Sequence, residues 1–163
     1  MTEFVVATSK KHFKEIAQLA AVIWREYYSP IIGSEQVEYM VKNYQSAEAM
    51  HAQYLDGYHF FMVYYNHQFV GYVSIKKQEN SLFLSKIYVS KDHRGKKIGK
   101  TAIAFVESKA ITMQCRSIIL GVNKFNANAI AAYGTMGFKN MGDMITDIGN
   151  GFIMDDYKME KLL

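Results

Sequence analysis

Between Arg94 and Lys100 the chain reads Arg-Gly-Lys-Lys-Ile-Gly-Lys, four cations and two glycines in seven residues. An apolar run, LFLSKIYV, precedes it and a stretch of helical periodicity follows. A loop leading from a strand into a helix can turn several backbone N–H groups toward one point, where the helix terminus adds partial positive charge. Gly95 and Gly99 let the main chain approach a ligand closely. Arg94, Lys96, Lys97 and Lys100 supply charge for phosphate oxygens, and Arg94 can hold two at once. Cations at the positive end of a helix are each unfavourable by about 0.3 kcal/mol or more, and an anion relieves them. The nucleotide-triphosphate loop fails on spacing, because no Gly-Lys-Ser/Thr stands behind four intervening residues after a glycine. The dinucleotide pattern G-x-G-x-x-G is absent.

Other reactive side chains point less clearly. Carboxylates gather in two islands rich in aromatic residues. One is WREYYSPIIGSEQVEYM, with Glu26, Tyr27, Tyr28, Glu35, Glu38 and Tyr39; the other is DMITDIGNGFIMDDYKME, with Asp143, Asp147, Asp155 and Asp156. Aromatic faces and carboxylates together suit a cationic amine, although aspartates also simply favour turns. His51, His59 and His67 recur at spacings of eight but fall on a helix end, a strand and a turn, so no metal site is expected. Cys115 stands alone, which excludes an intrachain disulfide and reads as a small core residue.

The elements that must position these groups follow from periodicity. Phe4–Ala7 reads as a strand. Thr8 or Ser9 then caps a helix with apolar positions Phe13, Ile16, Leu19, Ala20, Ile23 and Trp24, ended by Pro30. Ser34 and Ser46 begin two further helices. HFFMVYY and QFVGYVSIKK form a hairpin about Asn66-His67, and LFLSKIYV continues the meander. Ile98–Thr112 is a helix, RSIILGV a buried strand, and Asn126–Met136 a helix stopped by Gly137. Phe138–Asp147 and Gly151–Met159 close the chain as a strand pair. No linker or repeat interrupts this order, so residues 1–163 are expected to form one α+β domain.

Composition agrees. The 163 residues are 50% apolar or aromatic and 21% charged, with a net charge of +4. That charge suits an anionic ligand and falls short of a nucleic-acid binder's basic runs. The basic loop also lacks the interleaved aromatics that stack RNA bases. No signal-peptide pattern opens the chain and no run approaches about 18 apolar residues, so a soluble cytoplasmic protein with no membrane partner is expected.

Arg94-Gly95-Lys96-Lys97-Ile98-Gly99 resembles the acetyl-CoA loop of the GNAT (Gcn5-related) N-acetyltransferases, Arg/Gln-x-x-Gly-x-Gly/Ala. Asn126-Ala-Asn-Ala-Ile-Ala-Ala-Tyr133, followed by Gly137-Phe138, resembles that family's second signature, Asn-x-x-Ala-x-x-x-Tyr then Gly-Phe. The two occur in the family's order over Leu82–Phe138. One position departs: Lys97 stands where the family has its first loop glycine, which weakens the cradle if the backbone needs positive φ there.

The resemblance implies a mixed, mostly antiparallel central sheet flanked by helices, with splayed strands holding acetyl-CoA. It implies that the backbone of Ile87, Tyr88 and Val89 pairs with the pantetheine arm. It further implies that residues 94–100, Arg94 to Lys100, cradle the phosphates, with Ile98 among them. Asn126 would bond the arm, as well as capping its helix, and Tyr133 would protonate the leaving thiolate as general acid. Many relatives carry a glutamate base just before the segment matching IYV, where this chain has Leu84-Ser85-Lys86. The acceptor is expected to be a small-molecule primary amine, best a polyamine, since the pattern also looks similar to bacterial spermidine/spermine acetyltransferases. Glu26, Tyr27, Asp147 and Asp156 are the acceptor-side candidates. Peptide N-termini and protein lysines are the alternative substrates, and a non-catalytic CoA-binding module is the alternative of another class. Tyr133 and Asn126, both present, count against the latter. An exposed edge strand in the last pair would support a homodimer.

Overall fold

The computed structural model describes residues 1–163, Met1–Leu163. Its contacts divide the chain into two compact units: Met1–Lys76 with Lys86–Ile103, and Lys77–Ser85 with Ala104–Leu163.

The first unit opens with β1 (Thr2–Ala7), α1 (Lys10–Ile32), α2 (Ser34–Asn43) and α3 (Ala47–Leu55). Strands β2 (His59–Tyr65) and β3 (Gln68–Gln78) follow, and then the C-terminal half of β4 (Ser81–Val89). The strands bond in the order β1-β2-β3-β4. β1 lies antiparallel on β2, with Thr2 opposite Tyr65 and Ala7 opposite Phe60. Asn66 (φ 49°) and His67 (φ 66°) take the two left-handed positions that a two-residue hairpin needs. Ser9 caps α1: its hydroxyl accepts the His12 N–H at 3.2 Å, and His12 Nδ1 accepts the Ser9 N–H at 3.3 Å. The face this cap directs inward buries Phe13, Ile16, Ala20, Ile23 and Trp24, and Phe13 meets Phe60 of β2 edge-on at 5.3 Å.

One boundary differs from the sequence reading. Pro30 does not end α1, which runs on to Ile32. A proline this close to a terminus removes a single ladder bond. The turn after it still closes through Gly33 N–H on the Ser29 carbonyl at 3.0 Å, and Gly33 at φ 87° makes the break. Ser34 consequently begins α2 inside the helix, with Gly33 at the cap and no side-chain capping bond.

The second unit contains the N-terminal half of β4, most of α4 (Ile98–Thr112), β5 (Ser117–Asn123), α5 (Ala127–Thr135), β6 (Lys139–Gly149) and β7 (Phe152–Leu162). Here the order is β4-β5-β7-β6. β4 and β5 are parallel over three pairs, Ser81–Phe83 with Ser117–Ile119. β7 is antiparallel to β5, with Asn123 opposite Asp156, and to β6, with Met144 opposite Asp156. Ile118, Leu120 and Val122 of β5 and Val106 and Ala110 of α4 are buried, as is Cys115. The mixed, mostly antiparallel α+β architecture of the sequence reading is what the chain adopts. No helix is long and apolar enough to cross a membrane. No group of three or more His, Cys, Asp or Glu side chains is arranged to hold a metal ion.

Candidate functional site

In the first unit, β4 ends at Val89, a 3₁₀ turn spans Lys91–His93, and the basic loop enters α4 at Ile98. Two residues of the entry are left-handed: Gly95 has φ 81°, which glycine adopts without strain, and Lys97 has φ 63°. A left-handed non-glycine residue costs about 1–2 kcal/mol, so Lys97 bears a strain at φ 63° that a glycine there would not. Thr101 N–H closes the first turn of α4 on the Lys97 carbonyl at 3.0 Å. The amides of Ile98, Gly99 and Lys100 therefore precede the helix's own ladder. No acidic residue occupies this first turn. A side-chain carbon added at Gly95 or at Gly99 would meet nothing within 4 Å. The chain's own packing thus gives no reason for a small residue at 99, and the open space beside free amides and exposed cations fits a phosphate group. Ile98 is buried and anchors the turn.

Arg94 is held in two ways. Its Nε donates to the Val89 carbonyl at 3.1 Å, and its guanidinium lies over the Tyr27 ring at 5.0 Å. The loop and one acceptor-side candidate from α1 are thereby brought together. Lys96 lies over Tyr65 at 5.9 Å. Tyr88 sits in an aromatic wall, 5.7 Å from Trp24, 6.3 Å from Tyr28 and 5.2 Å from Tyr72. Gly71 of β3 lets this strand approach, since any side chain there would collide with the Tyr88 carbonyl oxygen. Glu26 is exposed on α1.

Lys86 lies on β4, directly before Ile87. It is buried, its Nζ donates to Gln53 Oε1 at 2.7 Å and lies 5.6 Å over Phe60. Burial lowers its pKa to about 8.

In the second unit, Asn126 is buried and caps α5, its Oδ1 accepting the Ala129 N–H at 3.3 Å. Tyr133 lies two turns on, half-buried, its ring 5.6 Å from Phe138 in an edge contact. Asp147 is exposed and spends one oxygen on the Gly149 N–H at 2.8 Å, which closes the β6–β7 turn. Asp156 behaves differently. It is 9% exposed, and its Oδ1 is buried without a hydrogen-bond partner. Its Oδ2 lies 3.2 Å from where a side chain on Gly121 would begin, a space the Met144 thioether also covers. Burial first, and the Asp155 charge second, raise its pKa to about 6, against the pull of Lys124. Lys124 itself bridges Asp155 at 2.7 Å and Asp143 at 3.2 Å and lies 5.5 Å over Tyr157.

Sequence reasoning passed over Lys86 and Gly121. A glycine inside the apolar run RSIILGV signals a close approach, so Gly121 was findable; the burial of Lys86 was not.

A family model described as the acetyltransferase (GNAT) family matches residues 16–138. N-alpha-acetyltransferase 30 of Dictyostelium discoideum is 35% identical over 82 residues, which cover 48% of this chain and 44% of that protein. The chain thus spans less than half the length of this curated relative. PaiA N-acetyltransferase from Thermoplasma acidophilum, solved in complex with coenzyme A, superimposes with a TM-score of 0.81 at 20% identity, covering 99% of each chain. A spermidine N-acetyltransferase SpeG chimera of Vibrio cholerae and hSSAT sequences gives 0.72 at 18% identity, covering 99% of this chain and 95% of that one.

Proposed function

The chain belongs to the acetyltransferase (GNAT) family, and on that premise we propose that it is an acetyl-CoA-dependent N-acetyltransferase acting on a cationic primary amine, best a polyamine. The observation that carries the cofactor half is the loop into α4, where left-handed Gly95 and Lys97 leave amides, cations and open space together. Acetyl-CoA would supply the activated acyl carbon and a thiolate leaving group. In this reading Arg94–Lys100 hold its phosphates, and main-chain groups of Ile87, Tyr88 and Val89 align its pantetheine arm. Val89 would act through its N–H, because its carbonyl already accepts from Arg94. Asn126 fixes the start of α5, and Tyr133 donates a proton to the departing sulfur.

For the acceptor, the aromatic wall of Tyr27, Tyr28 and Tyr88 and the carboxylates Glu26, Asp147 and Asp156 favour a polycation. The spermidine acetyltransferase among the structural neighbours agrees. A peptide N-terminus is the second reading, favoured by the 35% identity to an N-alpha-acetyltransferase. We take residues 1–163 to work as one catalytic domain, since β4 and α4 each run through both units and the family match draws on both. A cytoplasmic setting and a homodimer through edge strand β6 belong to the same reading, and sedimentation tests the latter.

Free-thiol release from acetyl-CoA should be fastest with spermidine or spermine in a panel that includes a lysine peptide, an N-terminal peptide and an aminoglycoside. Preference for the N-terminal peptide would transfer the assignment to the second reading. Tyr133→Phe should lower kcat by about 10²-fold or more with acetyl-CoA affinity unchanged; an unaltered kcat removes Tyr133 from the chemistry.

A further inference from the structure

An amine that is protonated in water must lose a proton before it can attack, since alkylammonium pKa values lie near about 10. The family's glutamate has no counterpart on β4 here, where Leu84, Ser85 and Lys86 stand. The second unit offers a carboxylate with the properties of a base. Asp156 is buried on β7, opposite Asn123 at the end of β5. Three residues beyond Asn123 stands Asn126, the cap of the helix that carries Tyr133. One oxygen of Asp156 has no hydrogen-bond partner, and the other lies over the bare backbone of Gly121.

A buried carboxylate oxygen left unpaired costs about 1–3 kcal/mol, and Asp156 Oδ1 has no hydrogen bond to offset it. Asp155, the adjacent acid, alternates to the other face of the strand and pairs with Lys124, which also bridges Asp143. Asp156 makes no ion pair with that cluster, although the Asp155 and Lys124 charges act on it.

Resting on the acetyltransferase reading above, we propose that Asp156 is the general base that takes the proton from the acceptor ammonium and, before that, the anion that draws the ammonium in. The ammonium N–H bond breaks, an O–H bond forms on Asp156, and the lone pair left on nitrogen becomes the nucleophile. Across the whole reaction an ammonium and a thioester become an amide, a thiol and one proton, and that proton is the one Asp156 passes to water. The charged groups that act on it are Asp155 of its own strand and Lys124 from the turn after β5, a lysine that also pairs with Asp143 of β6; β5 itself presents Asn123 and Gly121. Burial first, and the Asp155 charge second, raise the carboxyl to about 6 against the pull of Lys124, so it is ionised at neutral pH yet a better proton acceptor than a solvated aspartate.

The test compares the unmodified protein with Asp156→Asn and Asp156→Glu, using spermidine and an N-terminal peptide as acceptors. In the unmodified protein kcat/KM should fall on the acid side with a midpoint near 6. Asp156→Asn should lower kcat/KM by about 10²-fold or more and abolish that limb, while calorimetric affinity for acetyl-CoA stays unchanged. Asp156→Glu should restore part of the rate. An unchanged pH profile in Asp156→Asn overturns the proposal, and so does a loss of acetyl-CoA affinity, which would mark the residue as structural. If neither acceptor is turned over by the unmodified protein, the activity reading fails and the base is judged alone by carbon NMR titration of Asp156. A midpoint lowered by added spermidine supports the site, and a midpoint that spermidine leaves in place overturns it.

Discussion

Two buried ionisable side chains tilt stability with pH in opposite directions. The Asp156 carboxyl is raised from 3.8 to about 6, so between those values the folded chain binds more protons than the unfolded one. Stability attributable to this group therefore falls as pH rises through that window, and above it the full penalty of the buried charge is present. Asp156→Asn should raise Tm by several degrees at neutral pH and leave it nearly unchanged below the window, as followed by thermal unfolding. A stabilised variant that has lost activity is what a functional charge predicts. Lys86 is lowered from 10.5 to about 8, so between those values the folded chain binds fewer protons and stability rises with pH. Lys86→Met should flatten that rise, measured by urea unfolding on both sides of the window; a persisting slope would assign it to another group. Neither effect is legible in the sequence, because an aspartate in a turn-rich tail and a lysine in a strand look solvated until three-dimensional packing buries them.

The strand–loop–helix element was the most legible part of the molecule, for a physical reason. Its helix boundaries, Ile98–Thr112, follow from local periodicity, and its cations and glycines are consecutive. Pro30 was misread because the rule for helix interiors weakens within one turn of an end, where Gly33 takes over the termination. On the proposed reading, the loop separates ligand binding from fold stability at two positions. Gly99 is helical and borders empty space, so Gly99→Ala should keep or raise Tm, by about 1 kcal/mol of helix propensity, while acetyl-CoA affinity falls at least tenfold in calorimetry. Retained affinity would leave the open space unexplained and the cradle assignment wrong. Lys97→Gly should relieve about 1 kcal/mol of left-handed strain and raise Tm, yet weaken acetyl-CoA binding at low salt through the missing charge. If Lys97 contributes nothing to affinity, that variant will bind as tightly as the parent at every salt concentration.

Across the whole molecule, the polyamine reading requires a chain of net charge +4 to attract two ligands of opposite sign. The long-range field favours the phosphates of acetyl-CoA, and the basic loop concentrates it. A polycationic acceptor has to be drawn in against that net charge by local acids, of which Asp156 is buried and Glu26 and Asp147 are exposed. Ionic strength separates these contributions, because screening shortens the field from about 10 Å at 0.1 M to about 3 Å at 1 M. KM for acetyl-CoA should rise steadily with salt, since the cradle proposed for it is made of exposed cations. KM for spermidine should rise as well, because three ammonium groups cannot all pair with one buried carboxylate and the exposed acids must hold the rest. A peptide N-terminus carries one cation at the reacting end, so its KM should change far less. Steady-state measurements across salt with both acceptors thus decide the substrate class independently of absolute rates. Salt-insensitive use of spermidine would mean that the acidic islands take no part in acceptor recognition.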